Sequence, residues 1–221
     1  MQPSRPVRRT SDDEAAATLL DEYWNKAFPE AQILGHYPPA LARAIKPYVQ
    51  PGDMARICRQ PDWFGVNHYL PVYARADAAQ PLRFAWGNAP EDVAKSPIGW
   101  QLDPAAFRDT LIDVDRRYRL PIYVLENGAG AVEKPDASGN VVDRERIDYL
   151  ATYTGALREA VAAGADVRGY FVWSLLDNFE WGAGCANRFG LVYIDYPTNG
   201  ASSRVRHDGM PGSSGPKRQP V

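Results

Sequence analysis

Ile122-Tyr123-Val124-Leu125-Glu126-Asn127-Gly128 is a short apolar, β-branched run that stops at a carboxylate and a turn signal. Apolar residues at consecutive positions predict a strand covered on both faces, as in a parallel sheet. Such a strand has no ordinary use for a glutamate at its end. In an α/β barrel the C-terminal ends of the strands face the active site, which makes Glu126 a catalytic candidate by position. A plainer reading leaves Glu126 at a loop mouth, with Asn127-Gly128 as a tight turn.

The flanks of this stretch repeat one pattern. Before it, Asp103-Pro104 supplies an N-cap and a proline at the first helical position, and Phe107, Leu111, Val114 and Tyr118 then form one apolar stripe. After it, a loop through Pro135 and Ser138-Gly139-Asn140 leads to a predicted helix from Asp143 to Ala163. Leu150, Tyr153, Leu157 and Val161 lie on one face, and Gly164 ends it. Val167 to Trp173 reads as a further strand, and the aromatic run from Trp63 to Leu70, between Pro61 and Pro71, as an earlier one. Strand, helix, strand, helix, strand is the signature of repeated βα units on a parallel sheet.

Further upstream, Ser11 followed by Asp12, Asp13 and Glu14 predicts a capped helix start, with the helix running to about Phe28 before Pro29. Ala40 to Ile45 offers a short second helix, and Pro51-Gly52-Asp53 a turn. Residues 71–102 hold few periodic apolar positions and are expected to be irregular.

Composition narrows the function classes. A chain of 221 residues with 45% hydrophobic content and a net charge of −2 fits a soluble globular protein with no nucleic-acid partner. Its apolar runs are far short of a membrane span, and Met1–Thr10 carries Arg5, Arg8 and Arg9 with no apolar core behind them, so neither an anchor nor a secretory signal is expected. Cys58 and Cys185 stand alone without metal-ligand spacing, which points to a reducing cytoplasm. His36, His68 and His207 are scattered, and no zinc motif, Walker loop or Gly-x-Ser-x-Gly elbow is present. No metal and no cofactor is expected.

Gly128-Ala129-Gly130 raises a nucleotide-binding alternative. A dinucleotide fingerprint needs a third small residue and an immediate helix. Here Glu133 and Pro135 follow, and the helix waits until about Asp143.

Three strand ends carry polar and aromatic groups together: Asn67-His68-Tyr69, Glu126-Asn127-Gly128, and Trp173 with the loop holding Glu180-Trp181. A tyrosine can orient a carboxylate, a tryptophan offers a flat stacking face, and a glutamate can accept from vicinal hydroxyls. That set suits a sugar.

Leu-Glu-Asn-Gly at 125–128 resembles the nucleophile motif of glycoside hydrolase family 1, the retaining β-glucosidases and related β-glycosidases. Trp-Ser-Leu-Leu-Asp-Asn-Phe-Glu-Trp at 173–181, followed by Arg188 to Tyr196, is similar to that family's closing signature. Asp62 to Tyr69 resembles its Asn-Tyr-Tyr strand, with His68 in place of the usual first tyrosine.

The resemblance implies the C-terminal part of a (β/α)8 TIM barrel, about strands six to eight, over residues 1–197. It implies Glu126 as a nucleophile forming a covalent glycosyl-enzyme on a small-molecule β-glycoside or oligosaccharide, with Tyr69 orienting it. Asn67 belongs to the substrate-binding set with Glu180, which binds sugar hydroxyls, Trp181, which lines the same subsite, Trp173, which stacks beneath the substrate, and Phe189, which closes the pocket. The family's acid/base glutamate lies in a Thr-x-Asn-Glu-Pro motif that this sequence lacks. Asp62, Glu133 and Asp177 are acidic, but the pattern gives none of them that role. The expectation is an incomplete barrel that is inactive alone, completed by a missing N-terminal half. The competing expectation is a non-catalytic remnant, or one half of a split enzyme. Thr198 to Val221 departs from the family pattern and is expected to be an aberrant, disordered tail, of frameshift origin.

Overall fold

The computed structural model describes residues 1–132, 134–136 and 141–205. Glu133, His207 and most of the expected tail therefore lie outside the described residues. In chain order the elements begin with β1 (Ser4–Pro6), α1 (Ser11–Asp21), α2 (Ala27–Pro29), α3 (Pro39–Ile45) and α4 (Asp53–Ile57). Next come β2 (Phe64–Asn67), β3 (Val72–Ala76), β4 (Phe84–Gly87), α5 (Pro104–Tyr118), β5 (Ile122–Asn127) and β6 (Val141–Val142). The last are α6 (Arg144–Ala162), β7 (Val167–Val172), β8 (Val192–Asp195) and β9 (Gly200–Val205).

The expected parallel sheet is present in the order β2-β5-β7, with both strand pairs parallel. One face is covered by α5 and α6. Asp103 caps α5 by accepting from the Ala106 amide at 2.8 Å, and Pro104 takes the first helical position, where its missing N–H has no helical partner to lose. Phe107, Leu111, Val114 and Tyr118 are buried, and they pack against Phe64, Val66, Ile122 and Val124 of the sheet in one core. Full burial of each such side chain is worth about 1.5–3 kcal/mol, so this stripe anchors the helix to the sheet. The opposite sheet face is open: Trp63 beside β2, Leu125 of β5 and Phe171 of β7 are exposed. No closed barrel is formed among the described residues.

The face of α6 differs from its expected stripe. Arg146, Tyr149, Tyr153, Ala156 and Ala160 are the buried positions, while Val161 is exposed and Leu150 and Leu157 pack only partly. Tyr149 and Tyr153 stack on each other with centroids 4.0 Å apart, so aromatic and small residues, rather than the aliphatic ones, make this contact.

Three N-terminal expectations are corrected. The cap of α1 is Thr10, whose side chain accepts from the Asp13 amide, not Ser11. The helical path does not stop at Phe28 but continues through Leu34, with π-helical turns at Glu22–Lys26 and Glu30–Leu34 on either side of α2. A wider turn carries one unpaired position, which suits Pro29 and its missing N–H. Residues 71–102 are not wholly irregular, because β3 and β4 pair antiparallel and β1 joins β3 in parallel. Ala74 and Phe84 of this small sheet are buried together with Ala16, Ala17 and Leu20 of α1. An Ala/Arg alternation carries little strand signal, which hid the hairpin in the sequence.

The start of the expected tail is ordered. Gly200–Val205 pairs antiparallel with β8 and parallel with β6.

Candidate active site

The site is built on the C-terminal ends of β2, β5 and β7. Tyr69 follows β2 and donates its hydroxyl to Glu126 Oε2 at 2.7 Å. Burial pushes the Tyr69 phenol far above its usual range, reinforced by this hydrogen bond and by the charges of Glu126 and Glu180, so the phenol is a permanent donor. Asn67 is the register partner of Glu126 on the neighbouring strand. Across the mouth, Trp173 Nε1 donates to Glu180 Oε1 at 3.0 Å. Burial raises the Glu180 pKa and the charge of Glu126 raises it further, while the Trp173 bond opposes both. Trp181 stands exposed on the rim.

Phe189 is buried, 6.2 Å from Tyr69 and 5.5 Å from Trp100 between ring centroids, and Trp100 stands 5.5 Å from Tyr69. The three rings form one aromatic wall behind the Glu126 carboxylate. Sequence reading missed Trp100, because it lies in a stretch taken as irregular. An aromatic directly after Gly99 is the signal the sequence offers there.

Phe189 is seated by its neighbours. The Arg188 amide and carbonyl pair with Ala131 of the loop after β5, and the Phe189 carbonyl accepts from Ser174. Arg188 Nη1 donates to Asp177 Oδ2 at 2.9 Å, and its guanidinium lies over the Tyr193 and Tyr196 rings. Asp177 also accepts from the Gly190 and Ile194 amides, so it is a structural carboxylate. Buried Arg146, also missed from sequence, reaches the carbonyls of Ala129 and Arg188 and pairs with Asp143, tying α6 to both loops.

The two glycines behind the dinucleotide alternative have a packing role. A Cβ on Gly128 would lie 2.0 Å from the Trp173 carbonyl oxygen, and one on Gly130 would lie 2.7 Å from the Phe189 ring. Among the described residues no helix follows until Arg144, so none of them offers a helix N-terminus to receive a pyrophosphate at this turn.

His68, which occupies the variant position of the strand motif, is turned into the core under α5 and α6. It is fully buried against Phe107 and Tyr153, and Nδ1 donates to the Met1 carbonyl at 3.0 Å. Burial, with the nearby Met1 ammonium, lowers its pKa to about 3 against the opposing hydrogen bond, so the ring is neutral. Among the described residues no group of three or more His, Cys, Asp or Glu could hold a metal ion, and no helix is long and apolar enough to cross a membrane.

The family model for glycosyl hydrolase family 1 matches residues 1–210. A β-glucosidase of Agrobacterium sp. is 38% identical over 198 residues, covering 85% of this chain and 43% of that protein. A bifunctional β-D-glucosidase/β-D-fucosidase of Bifidobacterium breve is 33% identical, with 89% and 46% covered. The solved family 1 β-glucosidase of Thermotoga maritima superposes with a TM-score of 0.84 at 30% identity, over 92% of this chain and 46% of that one. The chain thus spans a little under half the length of these relatives, and it belongs to glycosyl hydrolase family 1.

Proposed function

We propose that these residues form the nucleophile half of a retaining β-glycosidase site for terminal β-D-glucosides or similar sugars. The observation that carries this reading is the Tyr69–Glu126 hydrogen bond at the end of β5. The hydroxyl engages Oε2, which fixes the carboxylate and leaves Oε1 for attack at an anomeric carbon. Glu180, restrained by Trp173, presents a carboxylate to sugar hydroxyls, and Trp173 with Trp181 supplies apolar surface for the ring. That the Thermotoga maritima enzyme has been solved with deoxynojirimycin and with glucoimidazole supports a sugar-sized ligand.

Retaining hydrolysis also needs a second carboxyl about 5 Å from the nucleophile, to protonate the leaving group and later activate water. Neither Asp62 nor Asp177 fits that role. Asp62 precedes β2, at the far end of a strand parallel to β5, and Asp177 is committed to Arg188. We infer that the acid/base group comes from barrel strands outside these residues. General acid assistance typically contributes about 10²–10⁴-fold, so this chain alone should hydrolyse aryl β-glucosides slower than a full-length relative by about that factor. The free thiols of Cys58 and Cys185 support a reducing, cytoplasmic setting.

The test is covalent. An electrophilic cyclitol epoxide with glucose stereochemistry, incubated with the chain and followed by peptide mass spectrometry, should label Glu126. Labelling elsewhere, or none at saturating reagent, refutes the nucleophile assignment. Among the described residues β2 and β7 have no further strand on their outer edges, which with the exposed Trp63, Leu125 and Phe171 supports a second reading, in which a separate chain bearing the other strands completes the site. Mixing with the separately expressed first half of a relative should then restore turnover; no gain on mixing argues for a remnant.

A further inference from the structure

Side chains of a strand alternate between the two faces of its sheet. In β5, Ile122 and Val124 are fully buried against α5 and α6, while Leu125 is exposed on the other face. Strict alternation would therefore send Glu126 into the helical core beside Val124. It does not go there. Glu126 is only part-buried and meets Tyr69, and Asn127 is the next residue with no exposure.

The cause lies in the strand register. Val66 and Asn67 are consecutive on β2, but they pair with Val124 and Glu126. On the other side, Tyr170 and Val172 of β7 pair with Val124 and Asn127. Against both neighbours β5 carries one extra residue between Val124 and its end. This is a β-bulge, and a bulge moves every later side chain to the opposite face.

The residue after the glutamate holds that bulge in place. Asn127 Nδ2 donates to the His68 carbonyl at 2.8 Å and to the Tyr149 hydroxyl at 2.9 Å, and Oδ1 accepts from the Tyr170 hydroxyl at 2.7 Å. Its main-chain carbonyl accepts from the Trp173 amide at 3.0 Å. One buried side chain thus joins the ends of β2, β5 and β7 to α6. Sliding β5 by one residue would strip the buried Asn127 amide of its three side-chain hydrogen bonds and take from Tyr170 its bond to Oδ1, while Tyr149 would keep only its bond to Tyr153; each buried polar group left unpaired costs about 1–3 kcal/mol.

We propose that Asn127, held by Tyr149 and Tyr170, is the positioning residue that locks the β5 bulge and so turns the Glu126 carboxylate out of the helical core toward the sugar side. The proposal rests on reading Glu126 as the nucleophile only for its functional meaning; the geometric claim stands apart from it.

The experiment is crystallographic, on the full chain. In Asn127→Leu, which keeps the side-chain size and removes every polar atom, the Tyr69 Oη to Glu126 Oε2 distance should open beyond about 3.5 Å, the limit of a hydrogen bond. Because Asn127→Leu removes the Asn127 bonds of both phenols and the donor to the His68 carbonyl, and so risks misfolding, the double variant Tyr149→Phe/Tyr170→Phe, which deletes only two oxygens, serves as the second arm and should open the same distance. If Asn127→Leu, or the double variant where that protein does not fold, keeps the bulge and the Tyr69–Glu126 bond, the proposal is overturned. Epoxide labelling supplies a separate reading. In the double variant the rate constant for labelling Glu126 should fall at least tenfold with unchanged binding of the epoxide, a split that general loosening of the fold would not produce. Failure of the unmodified chain to label at all bears on the nucleophile assignment and leaves the crystallographic result to decide the bulge.

Discussion

The hydroxyl of Tyr69 and the carboxylate of Glu126 are 2.7 Å apart, and they come from neighbouring strand ends 57 residues apart in sequence. Hydrogen bonds to charged groups contribute about 1.5–3 kcal/mol, so if Glu126 is the proposed nucleophile, losing this one should slow its attack by about 10–100-fold. Tyr69→Phe should show that fall in the rate of epoxide labelling, while half-saturation by the epoxide stays the same. An unchanged rate constant would mean that the phenol does not position Glu126.

His68 predicts the acid limb of the stability profile. Its folded pKa is lowered from 6.5 to about 3, chiefly by burial, so the unfolded chain takes up a proton that the folded chain refuses. The resulting stability is present above pH 6.5 and is lost progressively as pH falls toward 3. His68→Gln cannot titrate in this range. Thermal melts between pH 7 and 4 should therefore fall less steeply for the variant than for the unmodified chain, and parallel curves would exclude His68 as the cause.

Asp177 and Arg188 form an ion pair in which the Asp177 side chain has no exposure and that of Arg188 is 12% exposed. Removing one partner of a buried pair costs about 3–5 kcal/mol, because the remaining charge is stranded. Asp177→Ala should lower the urea midpoint by a corresponding amount and loosen the Phe189 seat. A shift below about 1 kcal/mol would place this pair with ordinary surface ion pairs.

At Gly128 there is no room for a methyl group, since it would meet the Trp173 carbonyl oxygen at 2.0 Å. Overpacking of this kind costs about 1–3 kcal/mol and moves the backbone. Gly128→Ala should therefore destabilise the chain and displace Trp173 from Glu180, which tryptophan fluorescence reports as a changed emission maximum. Wild-type emission and stability together would show that the turn yields freely.

Much of the sheet and one flank of the site could be read from the chain directly. The α5 stripe at spacings of four, three and four reaches the core as expected, and Asp103-Pro104 starts that helix. The β-branched run at 122–125 is the central strand. Less visible were features set by side chains acting across space. Arg146 looks like a surface residue in sequence and is buried, because carbonyls from two loops converge on it. The bulge was hidden because nothing in Leu125-Glu126-Asn127 announces an extra residue; it becomes apparent only against the register of β2 and β7. The buried face of α6 departs from the aliphatic stripe because the stacked Tyr149–Tyr153 pair, with Ala156 and Ala160, fills the space over the sheet.

The Asn127-Gly128 pair also has a chemical lifetime. An asparagine followed by glycine ages readily, because the glycine amide nitrogen can attack the side-chain carbonyl carbon, form a succinimide and expel ammonia. Here the amide is held on both its nitrogen and its oxygen, and burial keeps water away from the carbonyl. On storage, Asn127 should deamidate slowly in the folded chain and faster in Tyr149→Phe/Tyr170→Phe, as peptide mass spectrometry after warm incubation would show. Equal rates would mean that the bonds give no shelter. With shelter, the contacts that aim the neighbouring carboxylate also set how long the protein keeps its covalent structure.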